Sequence, residues 1–166
     1  MQWEVDGETY VWERPISTQQ TGFSFVSQSR CDMPDPVGGV LWYGVDDTSM
    51  SVYVPLYAGI DSLPPSFMKG RLSSFSWESA WWVFNFVSNI ANLKYSHMAP
   101  EIFAVRDELE GHLLALQPAV ERTALALLET DPDLARRYLT DHSVMHAEEV
   151  VRRWRDTRFP ISLGDA

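Results

Sequence analysis

The first candidate nucleophile in this sequence is its cysteine. Cys31 is the single cysteine, so the chain can form neither an internal disulfide nor a four-thiolate zinc site. A nucleophilic cysteine needs a neighbouring base or a positive electrostatic setting, and "SQSRCDMPDP" offers Arg30 but also Asp32. Two interpretations stay open, a reactive thiol or an incidental thiol at the end of a strand. The lack of a local base favours the second.

A serine nucleophile is the next alternative. Ser76 and Ser79 lie beside Glu78, and either His97 or His112 would have to supply the base. No spacing links these residues, and a triad is recognised only by its three-dimensional geometry. We therefore assign no catalytic residue.

The best local candidate for a metal site is "HSVMHAEE". His142 and His146 are four residues apart and would share one helix face with Glu149. The alternatives are a zinc site completed from elsewhere and two histidines that share a partly exposed face by chance. No second ligand pair, G-x-G-x-x-G, phosphate-binding loop, G-x-S-x-G or H-E-x-x-H motif occurs, so we predict neither a metal nor a cofactor.

Composition limits the partners. The 166 residues fit one domain, residues 1–166, and a 45% apolar content with seven Trp is typical of a folded protein. A formal charge of −10 without a basic aromatic stripe argues against nucleic acid as a partner. The longest apolar run falls far short of the roughly 20 residues that span a bilayer, and the acidic start "MQWEVDGETY" is unlike a secretory signal. We expect no membrane partner and a cytoplasmic location.

The residues from about 8 to 60 have the pattern of strands. Four short segments rich in Tyr, Trp, Phe and Val are predicted as strands: "GETYVWERPIST", "TGFSFVSQSR", "GGVLWYGV" and "SMSVYVPLYAG". The last two are predicted to form an antiparallel hairpin through "DDTSM", with Pro55 at a sheet edge or a bulge. Residues 61–76 are predicted as a loop because they hold two prolines, a glycine and five serines.

The residues from about 77 to 157 have the pattern of helices. "WESAWWVFNFVSNIANL" is apolar most of the way round, which predicts a helix buried on several sides. Asn85, Asn89 and Asn92 along it either bridge to neighbours or line a pocket.

Helix boundaries are predicted from prolines and capping residues. The next helix is expected to have Pro100 in its first turn and a kink or restart at Pro118. The last region is expected to be a helical hairpin, with caps at Asp131 and Thr140. Its basic residues follow two glutamates at helical spacing and are predicted to be paired and solvated: Arg152, Arg153, Arg155 and Arg158. Strands that precede helices predict an α+β fold, an antiparallel sheet packed with helices.

Three segments in order carry a family resemblance: "ERPISTQQTGFSFVSQSR", "PDPVGGVLWYGVDDTSMSVYVPLYAGI" and "ESAWWVFNFVSNIANLKYS". From about Trp3 onward the chain resembles the C-terminal part of the bacterial dipeptidase A family, cysteine dipeptidases that also include the secernins. The resemblance implies an N-terminal-nucleophile hydrolase with an αββα sandwich, dipeptide substrates and a cysteine nucleophile freed as the first residue of the mature chain.

The sequence departs from that family at the nucleophile. Residue 1 is Met, Cys31 is not at the family's nucleophile position, and "ISLGDA" stops short of the family's end. The resemblance therefore implies a C-terminal portion that lacks the N-terminal half and is inactive alone. Thr21, Ser24 and Arg30 would flank the substrate pocket of the full enzyme, with Arg30 meeting a substrate carboxylate. The alternative is a non-catalytic interaction or oligomerisation module on the same scaffold. In either case an exposed apolar surface would lead us to expect a homo-oligomer.

Overall fold

The computed structural model describes residues 2–11, 13 and 17–157. The helices and strands, in chain order, are β1 Gln2–Val5, β2 Glu8–Val11, β3 Phe23–Ser29, α1 Asp35–Gly38, β4 Gly39–Val45, β5 Val54–Tyr57, α2 Ala80–Leu93, α3 Tyr95–Thr130 and α4 Pro132–Arg155. Both sheets are antiparallel, and the strands precede the three long helices. The predicted α+β class is thus confirmed.

The first hairpin corrects the prediction, which placed strands only from residue 8. β1 pairs with β2 through a two-residue turn in which Asp6 has a φ of 53° and Gly7 a φ of 82°. Asp followed by Gly is a preferred pair for such a turn, because both central residues need positive φ. The first predicted strand extended beyond β2, and residues 12 and 14–16 of that extension lie outside the described residues, as do Arg158 and "ISLGDA".

The second sheet has the order β3–β4–β5. The predicted hairpin of β4 and β5 is confirmed, with Trp42 opposite Pro55. Pro55 lies in the outer strand, as predicted, where a missing amide donor is tolerated. The connection is longer than "DDTSM": residues 46–53 link the strands and include a 3₁₀ turn, Thr48–Met50.

The two faces of this sheet have different surroundings. On one face, Gln28 accepts hydrogen bonds from Trp42 Nε1 (3.3 Å) and from Gln117 Nε2 of α3 (3.1 Å), so α3 covers this face around Gln28, while Val26 farther along it is exposed. The opposite face, which we call the open face, carries Phe23, Phe25, Leu41 and Tyr43, as the register and the alternation of side chains require. On the β3 side of the open face Phe23 and Phe25 are 56% and 55% exposed, whereas Val54 and Leu56 of β5 on the same face are buried.

The aromatic helix α2 begins at Ala80, after a loop that contains the 3₁₀ turn Pro65–Phe67. Val83 and Phe84 are buried, and the Phe84 ring stacks on Trp154 of α4 at 5.0 Å. The helix is therefore part of the core, as predicted. It is not buried all round, since Phe86 is 41% exposed and forms a surface cluster with Phe75 and Trp77.

The two long helices correct the predictions about proline. α3 already begins at Tyr95 and continues through both Pro100 and Pro118, so neither starts a helix. A proline in a helix removes the donor to the carbonyl four residues earlier. Here those carbonyls belong to the exposed residues Ser96 and Leu114, where water can take the place of the missing donor.

α3 and α4 form the predicted helical hairpin, with Asp131 between them. The Asp131 carboxylate accepts from the Leu134 amide at 2.9 Å, which confirms the cap. The cap predicted at Thr140 is wrong, because α4 runs through it. The Thr140 hydroxyl instead donates to the Arg136 carbonyl (2.8 Å) and accepts from the Asp61 amide (2.9 Å). Within the part of the chain that is described, no helix is long and apolar enough to cross a membrane.

Candidate functional site

Polar side chains gather at one end of the three-stranded sheet, where β3 begins and β4 ends. We call this region the polar corner, and its members are Thr21, Ser24, Asp46, Asp47, Ser51 and Tyr53. The strand register produces it, because Ser24 lies opposite Gly44, two residues before Asp46. Two of the three residues predicted from the sequence to bind substrate, Thr21 and Ser24, are in this region.

Ser24 is the hydroxyl at the centre of the corner. Its Oγ is 2.6 Å from the Tyr53 hydroxyl, so one of the two donates to the other. Gly44 leaves room for these groups, since a Cβ there would lie 2.7 Å from Ser51 Oγ. Ser51 is fully buried, and its hydroxyl has no hydrogen-bond partner among the described residues.

Asp46 is the most unusual residue of the corner. Its φ of 66° is in the left-handed region, and its side chain is 1% exposed. Asn85 Nδ2 donates to one carboxylate oxygen at 2.8 Å, and Ser88 Oγ donates to the other at 2.5 Å. Burial raises the pKa of Asp46, and these two hydrogen bonds partly offset the rise. Buried, strained polar residues of this kind often occur at functional sites.

Asp47 closes the corner on the side of the 3₁₀ turn. Its carboxylate accepts from the Ser49 amide (3.0 Å), from the Ser49 hydroxyl (2.8 Å) and from the Ser17 hydroxyl (3.2 Å). Arg106 of α3 donates to the Ser49 carbonyl at 2.9 Å. Hydrogen bonds therefore hold the connection between β4 and β5 to Ser17 on one side and to Arg106 of α3 on the other.

The third predicted substrate residue, Arg30, lies away from the corner. It follows the last residue of β3, whereas Ser24 is near the start of that strand, so about 20 Å of extended chain separates the two. Its guanidinium binds the Glu121 carboxylate through two nitrogens, at 2.6 and 2.8 Å. It also donates to the Val37 carbonyl at 2.9 Å. The hydrogen bonds to Glu121 raise the pKa of Arg30.

The histidines of the predicted metal candidate do come together with a third. The rings of His142 and His146 are 4.5 Å apart, and His112 lies 6.0 Å from His146. Glu149 instead binds Arg152 at 2.6 Å. Among the residues described, no group of three or more His, Cys, Asp or Glu side chains is arranged to hold a metal ion.

The nucleophile candidates are not joined to a base. Cys31 is exposed just after β3. Ser76 accepts from the Glu78 amide at 3.2 Å, and Ser79 is buried at the start of α2. Over the described ranges no hydrogen bond connects either serine to His97 or His112. The arginines near the end of α4 were predicted to be paired and solvated. Arg152 forms a salt bridge with Glu149, and Arg153 forms one with Glu108.

Both interpretations of the asparagines apply. Asn85 bridges to Asp46, and the amide of Asn89 donates to the Asn85 carbonyl at 2.7 Å. These two also line an apolar cavity of about 140 Å³ with Phe75, Trp82, Phe86 and Ile90. Asn92 is half-buried, and its amide nitrogen has no partner among the described residues.

Sequence reasoning missed Asp46 and Glu121. Asp46 follows a buried strand, but its "DDTS" context has the composition of an ordinary turn, and its contact with Ser88 is 42 residues away in sequence. Glu121 lies 91 residues from Arg30 and is the buried acid of an otherwise ordinary helical pattern. The one local signal was the Asp at the end of an apolar strand, where positive φ is tolerated.

Comparison with known proteins adds the family. Residues 3–108 match the profile of Peptidase family C69, which is more than half of the chain. This chain belongs to that family. The whole polar corner lies within the matched C69 region, whereas Glu121 and all three clustered histidines lie beyond it.

The C69 assignment agrees with a curated relative. Over 142 residues the chain is 25% identical to a probable dipeptidase B of Streptococcus pyogenes serotype M1. The aligned region covers 84% of this chain and 28% of the relative, so the C69 chain spans less than a third of that protein's length. The resemblance to a dipeptidase family is thus confirmed.

Proposed function

We propose that this chain is the part of a cysteine dipeptidase that supplies one sheet and one helical layer of an αββα N-terminal-nucleophile sandwich. The cysteine nucleophile then comes from a segment outside this chain. Membership in Peptidase family C69 and the similarity to a probable dipeptidase support the activity. The coverage of 28% of that relative supports a division of the enzyme between this chain and further polypeptide.

The open face of the three-stranded sheet is the observation that carries the proposal. Phe23 stacks on Tyr43 at 5.7 Å, and Tyr43 contacts Phe67 at 6.1 Å, so aromatic rings form a continuous strip. Phe25 beside them is 55% exposed. Sheets in sandwiches pack face to face about 10 Å apart through such apolar side chains. A second sheet against this strip would remove the exposed rings from water.

The catalytic group is proposed to lie elsewhere because Cys31 lacks an activating environment. It is exposed, and in the described part of the chain no base contacts it. A thiol without a base or a positive setting is a weak nucleophile at neutral pH. We therefore expect the chain alone to be inactive toward dipeptides.

The polar corner is the proposed contact with the dipeptide. Thr21 and Ser24 are half-buried hydroxyls, which can donate to a carboxylate or accept from an amine. Arg30 was also predicted to bind the substrate carboxylate, but it already holds the Glu121 carboxylate. A substrate could bind Arg30 only by displacing Glu121, so we favour the two hydroxyls.

Dipeptide turnover by a longer polypeptide tests this function. The reading frame extended upstream of this chain is expressed as one polypeptide, and hydrolysis of a set of dipeptides is measured. We expect turnover, with Ser24→Ala raising KM about 10-fold through one lost hydrogen bond. Ser27→Ala, on the open face of the same strand, is the matched control and should leave KM unchanged. If an extended polypeptide with a cysteine nucleophile gives no turnover, the proposal is wrong.

A second candidate function is an oligomerisation module whose partner is a second copy of the chain. The sequence of β3, "FSFVSQS", has no charge and no proline, and among the described strands only β4 pairs with it. Natural edge strands usually carry such protective residues. This candidate predicts a dimer in solution and no turnover from any extended polypeptide.

A further inference from the structure

Three imidazoles meet where the helical hairpin contacts the sheet. His142 and His146 lie one turn apart on α4, with ring centroids 4.5 Å from each other. His112 comes from α3 and lies 6.0 Å from His146. The His142 ring also contacts Tyr57 of β5 edge-on at 6.2 Å. The cluster therefore touches both helices of the hairpin and the outer strand of the sheet.

The surroundings of His142 disfavour its protonated form. Its side chain is 7% exposed, and its Nε2 has no hydrogen-bond partner among the residues described. Burial, with a smaller contribution from His146, lowers the pKa of His142 to about 4. Burial and the neighbouring His112 also lower the pKa of His146. A protonated His142 would be a buried charge, and a protonated His146 beside it would repel that charge.

The nearby charged groups do not compensate. On α3 and α4, Glu108 binds Arg153 at 2.9 Å and Glu149 binds Arg152 at 2.6 Å. Glu149 favours protonation of His146, but burial outweighs it. From β5 the facing group is the phenol of Tyr57, whose hydroxyl is 3.5 Å from a Glu121 oxygen that Arg30 already holds. Glu108 and Glu149 are thus each paired with an arginine.

We propose that this histidine cluster is an acid-sensitive latch, which holds α4 against α3 and β5 while its imidazoles are neutral and releases it when they are protonated. The latch concerns the stability of the hairpin and is independent of the proposed dipeptidase function.

Whether stability rises or falls with pH depends on which state, folded or unfolded, binds more protons. The unfolded chain takes up a proton at His142 near pH 6.5, whereas the folded chain does so only near pH 4. The unfolded state therefore binds more protons between these values, and stability is lost as the pH falls through that window. Between pH 7 and pH 5 the ratio of folded to unfolded protein should fall roughly 20-fold through this residue alone.

The test is urea unfolding of the full 166-residue chain between pH 7 and pH 5. His142→Phe keeps an aromatic ring beside Tyr57 but cannot be protonated, so its stability should change much less with pH. His97→Phe, at an exposed position of α3, is the matched control and should keep the pH dependence of the wild type. The difference between variant and wild type cancels the contributions of Asp46 and Glu110, whose raised pKa values act in the opposite direction.

A second measurement remains informative if His142→Phe does not fold. NMR titration of the imidazole carbons of the wild-type chain gives the pKa of each histidine directly. We expect one histidine to stay neutral down to about pH 5 and to titrate together with loss of contacts between α3 and α4. Parallel pH dependence of wild type and His142→Phe, or ordinary titration of all four histidines in a chain that stays folded, would overturn the proposal.

Discussion

Asp46 has three properties that rarely occur in one residue. It is buried, it has positive φ, and its carboxylate oxygens accept from Asn85 and Ser88. It joins the end of β4 to the middle of α2. Aspartate and asparagine are the side chains that tolerate this backbone conformation best after glycine.

Substitution of Asp46 tests whether backbone conformation and hydrogen bonds both matter. Asp46→Ala should lower the free energy of unfolding by about 2 to 4 kcal/mol, because it adds backbone strain and removes the acceptor of two buried hydrogen bonds. Asp46→Asn keeps the φ tolerance and an acceptor, so it should cost about 1 kcal/mol or less. Urea unfolding at pH 7 measures both. Equal losses for the two variants would contradict this account of the residue.

Arg30 and Glu121 form the second residue-scale test. Glu121→Leu leaves a largely buried guanidinium without its partner and should destabilise the chain by about 3 kcal/mol. Arg30→Met with Glu121→Leu removes both charges, so the double variant should be more stable than Glu121→Leu by about 2 kcal/mol. A double-mutant cycle in urea measures this coupling. A coupling near zero would show that the pair does not hold β3 to α3.

The edge strand β3 allows a test of whether the open face is an interface. Phe25→Lys places a charge on the open face, at a position that is 55% exposed. If that face packs against a second sheet or a second copy, the variant should weaken association at least 10-fold in sedimentation, since a lysine must then be desolvated. Leu114→Lys on α3, also 55% exposed, is the matched control and should have no effect. Equal behaviour of both variants would exclude the open face as an interface.

The predictions about helices and strands that were confirmed are those that depend on residues close together in the sequence. The β4–β5 pairing, the edge position of Pro55 and the Asp131 cap all depend on residues close in sequence. The wrong predictions have causes elsewhere in the chain. Thr140 looks like a cap, but its hydroxyl serves the Asp61 amide, 79 residues away.

The candidate site was predictable only in part, for the same reason. Thr21, Ser24 and Arg30 lie on one predicted strand and were predicted to flank the substrate pocket, but only Thr21 and Ser24 lie in the polar corner. Asp46 could not be predicted, because its burial depends on α2, and nothing local marks the partnership of Arg30 with Glu121 across 91 residues. Asp6 followed by Gly7 is a local turn signal, but the strand before it was missed because short exposed strands such as β1 have little apolar pattern.

Three observations about the whole molecule bear on its function. The chain belongs to Peptidase family C69, it spans 28% of a probable dipeptidase, and one face of its central sheet exposes the rings of Phe23 and Phe25. A chain with these properties is expected to support catalysis by a thiol that it does not itself supply. Its own thiol, on Cys31, is exposed beyond the end of an edge strand.

The most direct test of this claim is the hydrolysis of dipeptides by the purified 166-residue chain alone. Release of free amino acids from a set of dipeptides is measured for the wild type and for Cys31→Ala, the matched control. We predict that neither releases amino acids faster than buffer. Turnover by the wild type that Cys31→Ala abolishes would contradict the claim, because the nucleophile would then lie within this chain.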